Sequence, residues 1–250
     1  MTGRPCRGGA VALRPGRSSL VGMPPTPPND RRRRGPAAAT RRWTAVEVTL
    51  GAALLVAAAV VGFFLAHRPG PNRLDQAGDF LLPAAAGSHL AKELVQLGSL
   101  PVLVVGVIVI FVVAILQDWV RAIACAVAPL AAVAVVEHIA KPLVGREIAV
   151  HEFTYPSGTV TVTAALAAAA FLATPLLLRP LVALIGVAAV LGVSAGVLAL
   201  RWHYPTDVLG GIFVGAGSVF FLDGIAHLPW VLGRPKTDRP VEPPVISSTV

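Results

Sequence analysis

Most of this chain consists of apolar runs, each about as long as a bilayer is thick. Six runs of about 20 residues follow one another after residue 45, and about 20 apolar residues cross a hydrocarbon core as a helix. Charged residues make up only 14% of the chain, less than in an ordinary soluble domain. We therefore predict an all-α integral membrane protein, a six-helix bundle with spans at residues 46–66, 97–116, 119–140, 158–178, 181–200 and 208–228.

Polar segments surround and interrupt this apolar region. Residues 1–44 are rich in Arg, Pro and Gly and lack apolar periodicity, which predicts a disordered basic tail. Residues 45–230 form the predicted membrane domain, and the Pro-rich residues 231–250 a second disordered tail. The long connection over residues 67–96 is expected to carry one or two short interfacial helices, around residues 84–96.

The distribution of positive charge predicts the orientation. The net charge of +8 comes largely from arginines before the first span, and basic flanks are typical of the cytoplasmic side. Six spans then return the C-terminal tail to the cytoplasm, and two further arginines fall near inner turns. We predict a multi-pass protein of the cell membrane with both termini cytoplasmic. The basic residues that fit this orientation are Arg121, Arg179, Arg234, Lys236 and Arg239.

Two classes of partner are disfavoured by the same composition. A basic tail that touches anionic lipid explains the positive charge better than a nucleic-acid partner does. Cys6 and Cys125 lie in unrelated contexts and indicate neither a disulfide framework nor a metal site. The expected partners are the bilayer and a lipid, while the oligomeric state stays open.

The number of spans between two polar loops places those loops on one side of the membrane. The loop at residues 141–157 and the stretch at 201–207 are separated by two spans, so the chain crosses and returns between them. In the predicted orientation, both loops open on the extracytoplasmic side.

The first loop, "KPLVGREIAVHEFTYPSGT", provides features that suit an anion. It contributes the cations Lys141 and Arg146, and Ser157 is a favourable residue for the start of the next helix. Gly158 allows close approach of a ligand to the backbone. The free N–H groups and the dipole of a helix start together favour a bound anion.

The second loop, "RWHYPTDVLGG", adds an arginine, a histidine and an aspartate within seven positions. Pro205 is expected to stop the fifth span and open the sixth. Arg201 can bind phosphate oxygens with a planar fork. His203 can act as a nucleophile, and a carboxylate such as Asp207 can fix its tautomer. The two loops together predict a phosphate site centred on His203.

These residues resemble the motifs of the type 2 phosphatidic acid phosphatases, also called lipid phosphate phosphatases. That family carries Lys-x6-Arg-Pro, Pro-Ser-Gly-His and Ser-Arg-x5-His-x3-Asp, and the resemblance extends over residues 45–230, with "HYPTDVLGG" its most specific part. The resemblance implies that His203 attacks phosphorus to form a phosphohistidine, that Asp207 orients it, and that no metal or cofactor takes part. It implies a phosphate-binding set of Lys141, Arg146, Ser157, Gly158, Thr159 and Arg201.

The motifs depart from the family pattern at three places. Ile148 stands where the first-motif arginine is expected, and Gly196 and Val197 stand where the Ser-Arg pair is expected. Arg146 and Arg201 are the available replacements.

The third departure concerns the proton donor, because Thr159 stands where the family has histidine. A general acid contributes roughly a hundred- to ten-thousand-fold to a rate, and a threonine hydroxyl is a poor acid. His151, in the same loop, is a possible acid in its place. Phosphate leaving from a diphosphate needs a proton less than an alkoxide does, so the departure favours a polyprenyl diphosphate over phosphatidic acid.

The sequence therefore predicts a metal-independent membrane lipid phosphatase or diphosphatase that acts through a phosphohistidine at His203. Two alternatives remain. One is a catalytically impaired family member that binds lipid phosphate without turnover, which Thr159 favours. The other is a small transporter, which would need ionisable groups within the spans.

Overall fold

The computed structural model describes residues 31–66, 68, 70–79, 88–148 and 152–232, and everything below refers to these residues. The described chain is mostly helical, with one short antiparallel pair of strands. In chain order the elements are α1 (Arg31–Leu65), α2 (Arg73–Asp79), α3 (His89–Gln96), α4 (Leu100–Ile115), α5 (Trp119–Val135), a π-helical turn (Val136–Ala140), α6 (Lys141–Val144), β1 (Glu147–Ile148), β2 (Glu152–Phe153), α7 (Gly158–Ala173), α8 (Arg179–Ala199) and α9 (Pro205–Leu232).

Several helices are long and apolar enough to cross a membrane, which indicates an integral membrane protein. Four candidate spans lie in the described residues: α1 from Arg42 onward, the continuous helix Trp119–Val144, α8, and α9 as far as Pro229. The α3–α4 pair, bent by 44°, makes a fifth if it counts as one span. The prediction of an apolar helical membrane protein is therefore confirmed. Of the six predicted spans, four or five are long and apolar enough in the described residues.

The predicted span at residues 158–178 is shorter in the structure. Helix α7 ends at Ala173, because Thr174 adopts an extended conformation (ψ 140°) in front of Pro175. A residue that precedes proline is disfavoured in the α region, which explains the early stop. The resulting 16 residues correspond to about 24 Å of helix.

The first helix begins earlier than the sequence suggests. Residues 31–44, which we predicted as part of a disordered tail, belong to α1 in the structure. Arg and Ala, which make up most of this segment, are among the best helix formers, whereas Gly35 and Pro36 within it are the poorest. The predictions for residues 1–30 and 233–250 lie outside the described residues.

Helix α9 packs against α1, α5 and α7, and its contact with α1 is a close backbone approach. A methyl group built on Gly51 would lie 2.4 Å from the backbone nitrogen of Phe221. One built on Gly217 would lie 3.0 Å from Cβ of Leu54. Small residues allow this approach between membrane helices.

A polar cluster joins three helices near one end of the bundle. The guanidinium of Arg121 binds the buried Asp223 carboxylate at 3.0 Å and lies 3.7 Å from the buried Glu47 carboxylate. His227 Nε2 lies 2.9 Å from Asp118, and its Nδ1 lies 2.8 Å from the Asp223 carbonyl oxygen. From the sequence alone, Arg121 is predicted only to be a basic residue near an inner turn. The structure shows that it ties α1 and α9 to the start of α5.

Helices α4 and α7 run side by side between the two ends of the bundle. At one end, a methyl group built on Gly98 would lie 2.4 Å from Cγ2 of Thr159. At the other end, the Gln117 amide donates to the Ala173 carbonyl oxygen at 2.6 Å. Although α7 is short, it therefore connects the end of the bundle that carries the polar loops with the end that carries the Arg121 cluster.

Candidate active site

The two polar loops meet, as the number of spans between them predicts. The Ser157 N–H donates to the Asp207 carbonyl oxygen at 3.0 Å. Arg146, from the first loop, donates to Thr206 Oγ1 at 2.7 Å and to Asp207 Oδ1 at 2.8 Å. Residues 50 to 61 positions apart are therefore linked by backbone and side-chain bonds where α7 and α9 begin.

Ser157 starts α7 in the way that its position predicts. It has an extended conformation (φ −66°, ψ 116°), its Oγ accepts from the Val160 N–H, and its carbonyl oxygen accepts from Thr161 Oγ1 at 2.8 Å. The Ser157 side chain is fully buried. The first N–H groups of a helix lack intrahelical acceptors, so the α7 start is the part of the loop suited to an anion.

Tyr155 anchors the same loop to the bundle. Its hydroxyl donates to the Ala58 carbonyl oxygen of α1 at 2.6 Å. Its ring fits between glycines of α1 and α9, since added methyl groups would lie 2.9 Å away at Gly62 and 2.5 Å away at Gly210. Burial and the nearby Asp207 carboxylate raise the pKa of the Tyr155 hydroxyl.

Lys141 lies at the start of α7, where the sequence places it. Its ammonium group binds both Glu137 carboxylate oxygens, at 2.7 and 2.8 Å. A methyl group built on Gly158 would lie 2.4 Å from Glu137 Oε1 and 3.7 Å from Lys141 Nζ. The lysine and the first residue of α7 are thus neighbours, and the Glu137 carboxylate lies beside both.

Arg146 was predicted to bind phosphate, but the structure shows it buried and bonded to protein groups. Besides Thr206 and Asp207, it donates to the Gly70 carbonyl oxygen at 3.0 Å and to Asp75 Oδ2 at 2.5 Å. Its side chain is 0% exposed. Both terminal nitrogens are therefore engaged, and the guanidinium holds three segments together instead of facing an open cradle.

Asp75 is the site residue that sequence reasoning missed. It is fully buried and accepts from the backbone N–H groups of Asn72 and Thr206, each at 3.0 Å. Asn72 Oδ1 in turn accepts from the Asp75 N–H, the reciprocal arrangement of a capping box. The pattern Asn-x-x-Asp was the one available sequence signal. Burial alone would raise the Asp75 pKa, but these backbone bonds and Arg146 outweigh it and hold the pKa below 3.8.

His203 lies beside Asp207, as predicted. Its Nδ1 is 3.9 Å from Asp207 Oδ2, and the two side chains are 13% and 0% exposed. The Asp207 carboxylate is fixed on both oxygens, because Oδ1 accepts from Arg146 and Oδ2 from the Tyr204 N–H at 2.9 Å. Within the described chain, His203 Nδ1 is buried without a hydrogen-bond partner. The carboxylate is thus placed to orient the imidazole after a small approach.

Arg201 closes α8 with a Schellman motif. The Trp202 N–H donates to the Val197 carbonyl oxygen and the Arg201 N–H to that of Leu198, both at 3.0 Å. Arg201 has a φ of 58°, a conformation usually taken by glycine at this position. A strained, exposed arginine therefore stands two residues before His203.

Thr159 and His151 complete the predicted set. The Thr159 methyl group packs against Gly98 at the bend between α3 and α4. His151, the possible acid, lies outside the described residues. Among the residues described, no three His, Cys, Asp or Glu side chains are grouped so as to hold a metal ion.

No protein-family model, no curated protein and no solved structure matches this chain.

The buried Asp75 carboxylate predicts a pH-dependent stability. Since its folded pKa is lowered, its contribution is complete above the ordinary value of 3.8 and is lost as the pH falls through the folded pKa. At neutral pH, Asp75→Asn should destabilise the protein by about 3–5 kcal/mol, because it leaves Arg146 short of a buried partner. Thermal unfolding in detergent measures this, with the exposed Glu93→Gln as the control. Equal acid sensitivity of wild type and Asp75→Asn would contradict the assignment.

The positive φ of Arg201 predicts an ordering of two variants. The free energy of unfolding of Arg201→Gly should exceed that of Arg201→Ala by about 1 kcal/mol, because only glycine takes a left-handed conformation without strain. Thermal unfolding measures this as a higher unfolding temperature of the glycine variant. Both variants lack the arginine side chain, so their difference isolates the backbone. Equal stability would mean that residue 201 does not hold this conformation in the membrane.

Proposed function

We propose that this protein is a metal-independent membrane lipid phosphatase or diphosphatase, with His203 as its nucleophile. The observation that carries the proposal is the bond between the Ser157 N–H and the Asp207 carbonyl oxygen. It holds the start of α7 against the segment that presents His203 and its carboxylate. An anion-binding helix start beside a histidine is the arrangement that phosphoryl transfer to nitrogen requires.

The phosphoryl group would be bound by backbone N–H groups at Gly158 and Thr159 and by the Lys141 ammonium group. The proximity of Lys141 to Gly158 supports this part of the proposal. The helix dipole adds a partial positive charge at the same point. The exposed Arg201 belongs to the connection between α8 and α9 and would supply a second cation.

In the proposed reaction, His203 Nε2 attacks phosphorus while the bond to the leaving oxygen breaks. The His203 Nδ1–H group donates a hydrogen bond to Asp207 Oδ2, and this carboxylate stabilises the positive charge that forms on the imidazole. Water then attacks the phosphohistidine, which releases phosphate and restores the neutral ring. The present separation of 3.9 Å between Nδ1 and Oδ2 has to shorten by about 1 Å for a hydrogen bond.

Arg146 and Asp75 act in this proposal as positioning residues. Arg146 fixes Asp207 Oδ1, and Asp75 fixes Arg146 as well as the Thr206 N–H. These contacts hold the Asp207 carboxylate in one orientation. We therefore assign to Arg146 the support of the catalytic carboxylate instead of direct phosphate binding.

The leaving group is the part of the substrate that the site constrains most. Thr159 is too weak an acid to protonate a departing alkoxide, so a good leaving group is favoured. When His203 attacks the terminal phosphorus of a lipid diphosphate, the prenyl monophosphate is the leaving group, and its departing oxygen carries the negative charge without needing a proton. We therefore propose a polyprenyl diphosphate as the preferred substrate, ahead of phosphatidic acid.

The proposed topology has six crossings, with α7 as the shortest. The contacts of α7 with both ends of α4 support a full crossing. The basic flank before the apolar part of α1 supports a cytoplasmic N-terminus and, with six crossings, an extracytoplasmic site. The lipid tail would then stay in the membrane while the head group reaches the loops.

A non-enzymatic relative is the second candidate. Thr159 favours it, because the missing acid would leave a site that binds lipid phosphate without turnover. Both candidates require phosphate binding, and they differ in phosphate release.

The enzyme proposal predicts phosphate release from a polyprenyl diphosphate by the purified full-length protein, faster than from phosphatidic acid. His203→Ala should lower turnover at least about a thousandfold, since the nucleophile is lost. The exposed His89→Ala is the matched control and should keep full activity. Vanadate binding without turnover would favour the second candidate, and full activity of His203→Ala would refute the mechanism.

The proposed orientation predicts a labelling pattern for two introduced cysteines, with Cys6 and Cys125 replaced by serine. Trp202→Cys should react with an impermeant maleimide on intact cells, since residue 202 lies beside the site and is 51% exposed. Leu177→Cys, at the opposite end and 90% exposed, should react only after permeabilisation. The reverse pattern would place the site in the cytoplasm.

A further inference from the structure

A carboxylate of the chain itself lies beside the start of α7. Glu137 Oε1 lies so close to Gly158 that a methyl group on that glycine would be 2.4 Å away. Both carboxylate oxygens accept from Lys141, at 2.7 and 2.8 Å. Glu137 thus pairs with the lysine and lies next to the first residue of the helix, the two elements that the proposed function assigns to a phosphoryl group.

The π-helical turn explains how Glu137 reaches this place. Residues 136–140 form a wide turn in which the Lys141 N–H donates to the Val136 carbonyl oxygen, five residues earlier. Such turns inside α-helices are frequent at functional sites. Glu137 and Lys141 come together on one side of this turn, facing Gly158.

The exposure of the two side chains shows which of them can move away. The Glu137 side chain is 41% exposed, whereas that of Lys141 is 18% exposed. A partly exposed carboxylate can rotate into water without losing solvation, while the lysine stays beside the helix start. An incoming anion can therefore take the place of the carboxylate and keep the lysine.

We propose that Glu137 is an internal competitor that takes the proposed phosphoryl position when no anion is bound and sets the affinity of the site for anions. The inference rests on the proposed function, because both use Lys141 and Gly158. A phosphoryl group binds only when Glu137 moves out, and the two anions repel each other if it stays. Glu137 thereby limits how tightly free phosphate is held and promotes its release after turnover.

The test measures the binding of inorganic phosphate and orthovanadate to the full-length protein in lipid nanodiscs. Glu137→Gln should bind both anions about tenfold more tightly or better, because a unit like charge is removed within about 4 Å of the ligand. Glu93→Gln, the same change at an exposed position of α3, should bind like the wild type. Adding Lys141→Met to Glu137→Gln should abolish the gain, since the freed lysine provides it.

The outcomes separate this inference from the proposed function. If wild type binds the anions and Glu137→Gln binds them equally or more weakly, the competitor role is wrong while the phosphate site stands. If Glu137→Gln binds more tightly but Lys141→Met leaves that gain unchanged, the competitor role is also wrong. If no variant binds either anion while all unfold at wild-type temperatures, both the site and the competitor role are refuted.

Discussion

The buried guanidinium of Arg146 is the interaction on which the polar end of this structure depends. It binds two fully buried carboxylates, Asp75 and Asp207, and so joins the segment after α1, the loop after α6 and the start of α9. Two carboxylates without it would repel each other in a region with little water, and removal of one partner from such a group costs about 3–5 kcal/mol. The position of His203 is a consequence, because its partner Asp207 is held by this arginine.

At both ends of the bundle, an arginine bound to buried carboxylates joins segments that are distant in the sequence. At the opposite end, Arg121 binds the buried carboxylate of Asp223 and approaches that of Glu47, and so joins α5 to α9 and α1. Between the ends, helices approach through glycines such as Gly51, where no side chain separates the backbones. Apolar burial provides little drive between helices in lipid, so these ionic clusters and close contacts fix the helix positions. A rigid frame of this kind can hold a site on short loops.

The sequence predicts those features that depend only on the order of segments along the chain or on the local residue type. The meeting of Ser157 with Asp207 followed from the even number of spans between their loops, and the helix start at Pro205 followed from its ring. Asp75 was missed because its partner Thr206 lies 131 positions away, and no local pattern reports such a contact. Arg146 was assigned to phosphate because a charge in a loop does not reveal whether it is buried. The span count depended on α7, which the backbone before Pro175 shortened.

The backbone at Arg201 gives a separate reason to regard this region as functional. A left-handed residue at the end of a helix is ordinarily glycine, and this chain contains 24 glycines. An arginine there carries a strain of about 1 kcal/mol, which interactions elsewhere in the fold have to offset. It precedes His203 by two residues, on an exposed turn beside the start of α9. Strained residues cluster at functional sites because the surrounding structure holds them there, and the same turn presents the imidazole.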